Sequence, residues 1–177
     1  MKWSQDHSLV ISVLRLLVPG FLLICSFAAV PLQGAEPSSR NLDAGWQFRA
    51  AANVDQPEVK QWHPAQVPGV IQTDLLQNKL IPDPFDKDNE FRLQWIGLAD
   101  WEYQTTFQAD AATLAHGHVD LVFDGLDTFA DVYLNDQAIL HADNMFRRWR
   151  IPAKAQLKPG ANTLRIVFHS AVEKMLP

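Results

Sequence analysis

Acidic side chains are concentrated in residues 80–103, a segment that reads LIPDPFDKDNEFRLQWIGLADWEY. Its most closely spaced carboxylates belong to Asp83, Asp86, Asp88 and Glu90. A calcium loop between two helices needs a glycine at its sixth position, and this loop has none before Gly97. Glycoside hydrolysis needs two carboxylates about 5–10 Å apart on a rigid frame around the sugar. We interpret the segment as a hydrogen-bonded surface loop, with ligand contact by some of its residues as the alternative. We predict neither a catalytic residue nor a metal site here.

Other residue types that carry chemistry occur without the partners they need. His116 and His118 flank one glycine, and two histidines without a third ligand are weak evidence for a zinc site. Ser170 lacks a G-x-S-x-G setting, and the chain has no glycine-rich phosphate loop. We interpret the two histidines as part of a surface turn and predict no cofactor.

Tryptophans are the remaining candidates for ligand contact. The rings of Trp62, Trp95, Trp101 and Trp149 could stack on sugar rings, or they could belong to the core, where each buries a large apolar area. The core interpretation is favoured for each ring. Trp95 is the expected exception, because it lies in the 80–103 loop and not in a predicted strand.

The first 35 residues have the pattern of a helical secretory signal peptide. A polar start precedes an apolar run at 16–32, and small residues follow it. A membrane anchor is disfavoured, because the run contains Pro19 and Gly20 and is shorter than the about 20 residues that span a bilayer. A lipid-modified Cys25 is disfavoured, because isoleucine precedes it. The sequence predicts no stable membrane insertion and an exported protein, periplasmic or extracellular, or lysosomal in a eukaryote.

Composition limits the partners of the exported part. The chain has 15 Lys and Arg against 20 Asp and Glu, and removing residues 1–35 leaves 13 against 19, a net charge of −6. Nucleic acid and anionic membranes bind basic surfaces, so both are disfavoured. Without Cys25 no disulfide can form, and stability must come from a core. An acidic, aromatic, exported domain suits a neutral ligand such as a sugar.

Alternation of apolar and polar residues predicts short strands after a linker at 36–40. The clearest strand is 101–108, and 118–125 is dense enough in apolar residues to predict a central strand buried on both faces. The segment 80–103 is too irregular for a helix. The other predicted elements are strands at 41–49, 128–134, 137–141, 146–151 and 163–169, and one short helix at 71–78. We therefore predict that residues 41–177 form an all-β, antiparallel jelly-roll β-sandwich with one short helix.

The chain also carries a series of short motifs. In order they are VPG at 67–69, DLL at 74–76, IPDPF at 81–85, DNE at 88–90, WIG at 95–97, DWEY at 100–103, FDGLDTFA at 123–130, VYLN at 132–135 and ADNMFR at 142–147. Together they closely resemble the N-terminal sugar-binding domain of β-mannosidases in glycoside hydrolase family 2. The resemblance covers about residues 41–170.

The resemblance implies a galactose-binding-like jelly roll that precedes immunoglobulin-like and (β/α)₈-barrel domains in longer enzymes. Those enzymes remove terminal β-linked mannose from oligosaccharides with retention of configuration, using two glutamates on the barrel. None of the glutamates after the predicted signal peptide occupies such a motif. We therefore expect a fragment without the catalytic glutamates, whose catalytic barrel lies outside the chain.

The resemblance further implies that the 80–103 segment extends toward the barrel and helps to form the substrate pocket. Asp83, Asn89 and Trp95 are then the expected contacts to a mannose-containing oligosaccharide. One alternative is a free-standing, non-catalytic carbohydrate-binding module. Others are the same domain of a related β-galactosidase or β-glucuronidase, and a structural or adhesive jelly roll without a sugar site.

Overall fold

The computed structural model of the protein describes residues 39–51 and 54–175. The predicted signal peptide at 1–35 and most of the predicted linker lie outside these residues. Within the described ranges, no helix is long and apolar enough to cross a membrane.

Antiparallel strands form two sheets. The larger has six strands in the order β2-β1-β3-β8-β5-β6, and the smaller consists of β4 and β7. The strands are β1 (Gln47–Ala50), β2 (His63–Pro64), β3 (Trp101–Ala109), β4 (Asp120–Phe123), β5 (Phe129–Leu134), β6 (Gln137–Ala142), β7 (Trp149–Pro152) and β8 (Gly160–His169). The helices are a 3₁₀ turn (Pro57–Lys60), α1 (Ile71–Gln77), α2 (Asn89–Arg92), α3 (Trp95–Leu98), α4 (Ala111–Ala115) and α5 (Ala171–Met175). The predicted all-β antiparallel class is confirmed.

Alternation along β3 directs one face of the larger sheet into the core. Trp101 and Tyr103 are buried, whereas Glu102 and Gln104 are partly exposed. The fully buried Phe48 of β1 packs against both rings, with centroids 6.1 Å from Trp101 and 5.9 Å from Tyr103. Burial of one such side chain contributes about 1.5–3 kcal/mol. This aromatic cluster therefore holds the start of β3 firmly in place.

The predicted hairpin is confirmed, with its strands at β5 and β6. Its turn residues Asn135 and Asp136 both have positive φ, 50° and 66°. Two left-handed residues define the type I′ turn, whose twist matches that of the flanking strands, and Asn and Asp tolerate this conformation. The Asn135 side chain also accepts the backbone N–H of Thr163 at 3.1 Å, which ties the turn to β8.

The prediction of a doubly buried central strand at 118–125 is wrong. β4 pairs with β7 in the two-stranded sheet, and Val122 remains 47% exposed. Leu121 and Phe123, on the other face, pack against the core. The apolar density of this segment therefore serves one buried face, and among the described residues the other face is left partly open.

The 80–103 segment is less irregular than predicted, because it contains α2 and α3. Each is a single turn held by local bonds, such as the one from the backbone N–H of Leu93 to the carbonyl of Asn89 at 3.0 Å. One turn is too short to show helical periodicity, and it is unstable unless docked. The helix predicted at 71–78 corresponds to α1. The structure contains four further short helices, α2 to α5, that were not predicted.

Two strands begin three or more residues later than predicted. The strand expected at 146–151 begins at Trp149, because Phe146 belongs to a turn in which the Asn144 side chain accepts its backbone N–H at 2.9 Å. The strand expected at 41–49 begins at Gln47.

Strand register places the loops at two opposite ends of the larger sheet. Trp101 at the start of β3 pairs with Phe168 near the end of β8. We call residues 80–100, which lead into β3, the arm, and this end of the sheet the arm end. Ala109 at the other end of β3 pairs with Gly160, close to the β5–β6 turn. We call that end the hairpin end.

Candidate functional site

The tip of the arm, residues 81–94, holds Asp83 in a defined orientation. Its Oδ1 accepts the backbone N–H of Phe85 at 2.9 Å, and its carbonyl accepts Nδ2 of Asn89 at 2.8 Å. A carboxylate bonded to the N–H two residues on closes a local turn, and the prolines on either side restrict the backbone. The structure therefore brings two predicted site residues, Asp83 and Asn89, together on an exposed turn.

The acidic side chains of Asp86 and Asp88 in the tip are exposed and pair with basic neighbours. Asp88 accepts from Arg92 one helical turn on, at 3.1 Å, and Asp86 lies 3.9 Å from the ammonium of Lys87. Exposed pairs of this kind contribute about 1 kcal/mol at most. In the part of the chain that the structure describes, no three acidic, histidine or cysteine side chains are grouped closely enough to hold a metal ion.

The foot of the arm, residues 95–100, packs on the core. The ring of Trp95 is half-buried, 6.0 Å from the ring of Trp101. Trp101 Nε1 donates to the carbonyl of the buried Ile96 at 3.0 Å. The third predicted site residue, Trp95, therefore lies in the foot, whereas Asp83 and Asn89 lie in the tip.

The four candidate tryptophans differ in their surroundings. The core interpretation is confirmed for Trp101 and Trp149, which are buried. Trp62 is half-buried beneath the guanidinium of Arg49, 4.5 Å from the ring centroid, in a cation–π contact. Trp95 packs partly against the core, and ligand contact by its remaining surface stays a prediction.

The two histidines and Ser170 are the remaining candidates, and their positions fit structural roles. His116 and His118 lie in the surface connection after α4, as predicted. Ser170 is buried, and its hydroxyl donates to the carbonyl of Gly97 at 2.7 Å. Its backbone N–H donates to Asp100 Oδ1 at 2.8 Å. Ser170 therefore fastens the foot of the arm to the end of β8.

Sequence reasoning missed a buried acid beneath the start of the arm. Asp74 on α1 is fully buried, and its two oxygens accept from the backbone N–H of Gln66 and the hydroxyl of Tyr103, each at 2.9 Å. Burial raises the pKa of Tyr103 far above its usual range, and the negative charge of Asp74 adds to this. A signal was present, because Asp74 shares the helical face of Ile71 and Leu75.

Two further loops reach the arm end. Residues 143–148 follow Ala142, the last residue of β6, and residues 124–128 lead into β5. A Cβ added to Gly125 would lie 3.1 Å from the carbonyl oxygen of Met145. This distance is tighter than most Cβ contacts, so a side chain at Gly125 would require the loops to separate by a few tenths of an ångström.

Large apolar side chains are exposed at the arm end. Phe85 is 96% exposed, Phe146 89% and Phe91 73%. Four other apolar side chains at this end are less exposed than these phenylalanines: Leu98, Met145, Val172 and Met175. Within the described residues, the hairpin-end loops at 110–119, 135–136 and 153–159 carry no large apolar side chain of this kind. Among the described residues, exposed large apolar side chains are therefore more numerous in the arm-end loops than in the hairpin-end loops, and a large contiguous apolar patch usually marks an interaction surface.

Comparison with protein families agrees with this arrangement. Residues 46–177 match the family described as glycosyl hydrolase 2 galactose-binding domain-like. The chain belongs to this family. The matched part of this galactose-binding-like domain includes the whole arm and both neighbouring loops.

The domain is similar to named β-mannosidases. It is 44% identical over 130 residues to beta-mannosidase B of Thermothelomyces thermophilus, covering 73% of this chain and 15% of that protein. The solved beta-D-mannosidase of Dictyoglomus thermophilum is 38% identical, with a TM-score of 0.70 over 76% of this chain and 16% of that one. An exo-chitosanase of Amycolatopsis orientalis, 21% identical with a TM-score of 0.63 over 75% of this chain and 17% of that one, shares the fold.

The chain therefore spans about 15% of the length of the curated relatives that it matches. The family resemblance predicted from the motifs is confirmed, and so is the galactose-binding-like fold.

Proposed function

We propose that this chain is the N-terminal domain of an exo-acting, retaining β-mannosidase that hydrolyses terminal β-D-mannose from oligosaccharides. The observation that carries the proposal is 44% identity to a beta-mannosidase B of which the chain spans only 15%. The proposal puts the catalytic barrel and its two glutamates outside this chain. The chain's own share of the work is to dock on the barrel domain and to shape the substrate pocket.

The glutamates of the described residues support this division of labour. Glu102 is the least exposed of them, and its two oxygens are each bonded to an arginine, Arg49 at 2.6 Å and Arg165 at 3.2 Å. Glu58, Glu90 and Glu173 each lie in a separate short surface helix. A retaining glycosidase needs two carboxyl groups about 5–5.5 Å apart across the glycosidic bond. We propose that this pair belongs to the barrel outside this chain.

The arm end is the proposed docking surface. Its exposed aromatic side chains belong to two separate segments, the arm and residues 143–148, so the surface is wider than one loop. Aromatic residues and methionine are enriched in protein interfaces. The barrel domain of the same enzyme is the proposed occupant, and contact with it would remove Phe85 and Phe146 from water.

Within this surface, Asp83 is the proposed contact to sugar hydroxyls. A carboxylate accepts hydroxyl protons strongly, and the bond to Phe85 fixes its direction before substrate arrives. Asn89 holds the Asp83 carbonyl and so maintains the turn. Trp95 is placed in the foot, where the partly exposed ring can form the inner wall of the pocket.

A chimeric enzyme tests the proposal. Residues 39–175 would replace the matching region of beta-mannosidase B from T. thermophilus, and kcat/KM would be measured on a β-mannoside. Asp83→Ala is expected to lower kcat/KM about tenfold or more, because a hydrogen bond to a charged group contributes about 1.5–3 kcal/mol. Asp83→Asn keeps an oxygen for the Phe85 N–H, so it separates the loss of charge from the loss of the turn.

Asp86→Ala is the matched control, since Asp86 lies in the same loop and is exposed. Its kinetics should equal those of the parent chimera. Parent kinetics in Asp83→Ala would end the proposed role of the arm. Activity on galactosides or glucuronides but not on mannosides would shift the assignment to a sister enzyme, and glycan binding by the chain alone would favour the carbohydrate-binding module.

We also propose that residues 1–35 direct export, as their sequence pattern indicates. Expression with a C-terminal tag in a secreting host should give a product whose first residue is Glu36. Retention of Met1 in the tagged product would contradict this.

A further inference from the structure

Four titratable side chains form a continuous row at the arm end. Asp100, the last residue of the arm, lies 2.9 Å through its Oδ2 from Nδ1 of His169 at the end of β8. Nε2 of the same ring lies 2.9 Å from Oδ2 of Asp131 on β5, and the other oxygen of Asp131 lies 2.6 Å from Nδ1 of His141 on β6. The row thus links the arm to three strands of the larger sheet.

Hydrogen-bond chemistry determines the charge of the central ring. An ionised carboxylate only accepts, and a neutral imidazole has a single N–H to donate. Both nitrogens of His169 face carboxylate oxygens, so both must carry protons for both contacts to be hydrogen bonds. A proton placed on Asp131 instead is disfavoured, because a carboxyl group ordinarily holds its proton far less tightly than an imidazole.

The carboxylates around His169 stabilise the positive charge of its ring. Asp100 and Asp131 face it directly, and Glu173 and Lys174 of α5 line the same small cleft. Burial by itself would lower the pKa of His169, but hydrogen bonds to Asp131 and Asp100, together with their charges, outweigh it and raise the pKa above its usual value. Hydrogen bonds from His141 and then from His169 lower the pKa of Asp131.

The row bears directly on the foot of the arm. Asp100 Oδ1 accepts the N–H of Ser170 while Oδ2 faces His169, so one carboxylate joins the arm to two consecutive residues of another segment. Loss of either proton from the His169 ring would set an unprotonated nitrogen against a carboxylate oxygen. The nitrogen that loses its proton would repel the carboxylate that faces it, which is either Asp100 or Asp131.

We propose that His169 is a positioning residue, which ties the foot of the arm to the sheet by bonding Asp100 and Asp131 together, and that this double link holds only while both of its ring nitrogens carry protons. The arm is then fixed in mildly acidic solution and loosened in alkaline solution. This link belongs to the chain itself and is independent of what the arm docks against. Its effect on turnover, by contrast, rests on the proposed function.

The pH window follows from the directions of the two shifts. His169 has a raised pKa, so its contribution is complete below its ordinary value of about 6.5 and disappears as the pH rises through the folded value. Asp131 has a lowered pKa, so its contribution is complete above about 3.9 and disappears as the pH falls through the folded value. The link is strongest between about pH 4 and 6.5.

Nitrogen-15 spectra of the histidine-labelled chain, recorded from about pH 5 to 9, test the protonation directly. Both nitrogens of His169 should remain protonated above about pH 6.5, where the imidazole of a model peptide has lost one proton. Asp131→Asn and Asp100→Asn should each move the His169 titration to lower pH. His118→Gln should leave it unchanged. Titration of His169 at or below the model-peptide value of about 6.5, or no response to either Asn variant, would overturn the proposal.

Hydrogen exchange of the same chain tests the link to the arm. Protection of the backbone amides at 97–101, corrected for intrinsic exchange, should be lost as the pH rises through the His169 titration. In His169→Gln the protection should be low and independent of pH, and in His118→Gln it should follow the wild type. Unchanged protection in His169→Gln would overturn the positioning role. No substrate or barrel is used, so failure of the proposed function leaves this test intact.

Discussion

The foot and the tip of the arm are neighbours in sequence but are held in different ways. The foot is fixed by contacts to distant segments, such as the bonds from Ser170 to Gly97 and Asp100 and the packing of Trp101. The tip is held by bonds that join residues at most six positions apart, as in the turn around Asp83. Local bonds can open without disturbing other segments, whereas opening of the foot also breaks its contacts to those distant segments.

This difference separates the residues that stabilise the domain from those proposed to contact a ligand or partner, within one segment of 21 residues, numbered 80–100. Buried aromatic rings in and beneath the foot account for its share of the folding free energy. Exposed phenylalanines in the tip contribute little to the folding free energy. They would contribute to stability only if another surface buried them. The arm therefore has a rigid base and an end that is available for contact.

Removal of the ring beneath the foot is expected to give the largest effect. Trp101→Ala should lower the free energy of unfolding by about 3–5 kcal/mol, since the ring is buried against Phe48 and Trp95 and its Nε1 bonds a carbonyl. Urea unfolding followed by circular dichroism measures the change. Phe85→Ala in the tip is the matched control and should change stability by at most about 0.5 kcal/mol.

Equal losses in the two variants would contradict the division between foot and tip. A loss in Trp101→Ala without a loss in Phe85→Ala would confirm it. If Trp101→Ala fails to fold, Trp101→Phe keeps a six-membered ring but loses the five-membered ring with its Nε1 bond, and an intermediate loss is then expected.

Asp74 offers a smaller perturbation on the other side of the arm. Asp74→Ala leaves the buried Tyr103 hydroxyl and the Gln66 N–H without their acceptor, and we expect a loss of about 2–3 kcal/mol. Asp74→Asn retains one acceptor oxygen and should lose less. Asp86→Ala, at an exposed position in the tip, should not change the urea midpoint. Wild-type stability in Asp74→Ala would show that the buried acid does not hold α1.

Combining Asp74→Ala with Tyr103→Phe gives a double-mutant cycle. Since the two side chains share one hydrogen bond, the double variant should lose less stability than the sum of the single variants. Strict additivity would mean that the bond contributes nothing of its own.

Much of the large sheet was predictable, because its physical causes are local. Period-two alternation identified β3, and Asn135-Asp136 identified the hairpin turn. The family motifs identified the arm as the segment of interest. The predictions failed where the cause lies elsewhere in the chain, as for β4, whose density of apolar residues does not reveal that only β7 pairs with it.

The candidate site was predictable in part for the same reason. Asp83 and Asn89 were predicted as site residues from the family resemblance, and they come together through a local turn of seven residues. The separation of Trp95 from them depends on its contact with Trp101 and therefore on tertiary packing. The row through His169 joins residues 38 and 69 positions apart, so no local pattern could have indicated it.

The smallest expected effect on the isolated chain belongs to its most exposed rings, Phe85 and Phe146. The double variant Phe85→Ala, Phe146→Ala should keep the stability of the isolated chain within about 0.5 kcal/mol per site. In the chimera, the same change should lower the free energy of domain association by more than about 1 kcal/mol, because a few aromatic residues dominate most interfaces. Thermal unfolding of the chain and of the chimera, compared with the exposed control Leu76→Ala on α1, separates the two expectations.

A chimera unaffected by the loss of both rings would show that the arm end is not covered by the barrel. A chimera destabilised while the chain is not would show that these rings stabilise the complete enzyme and not the domain alone.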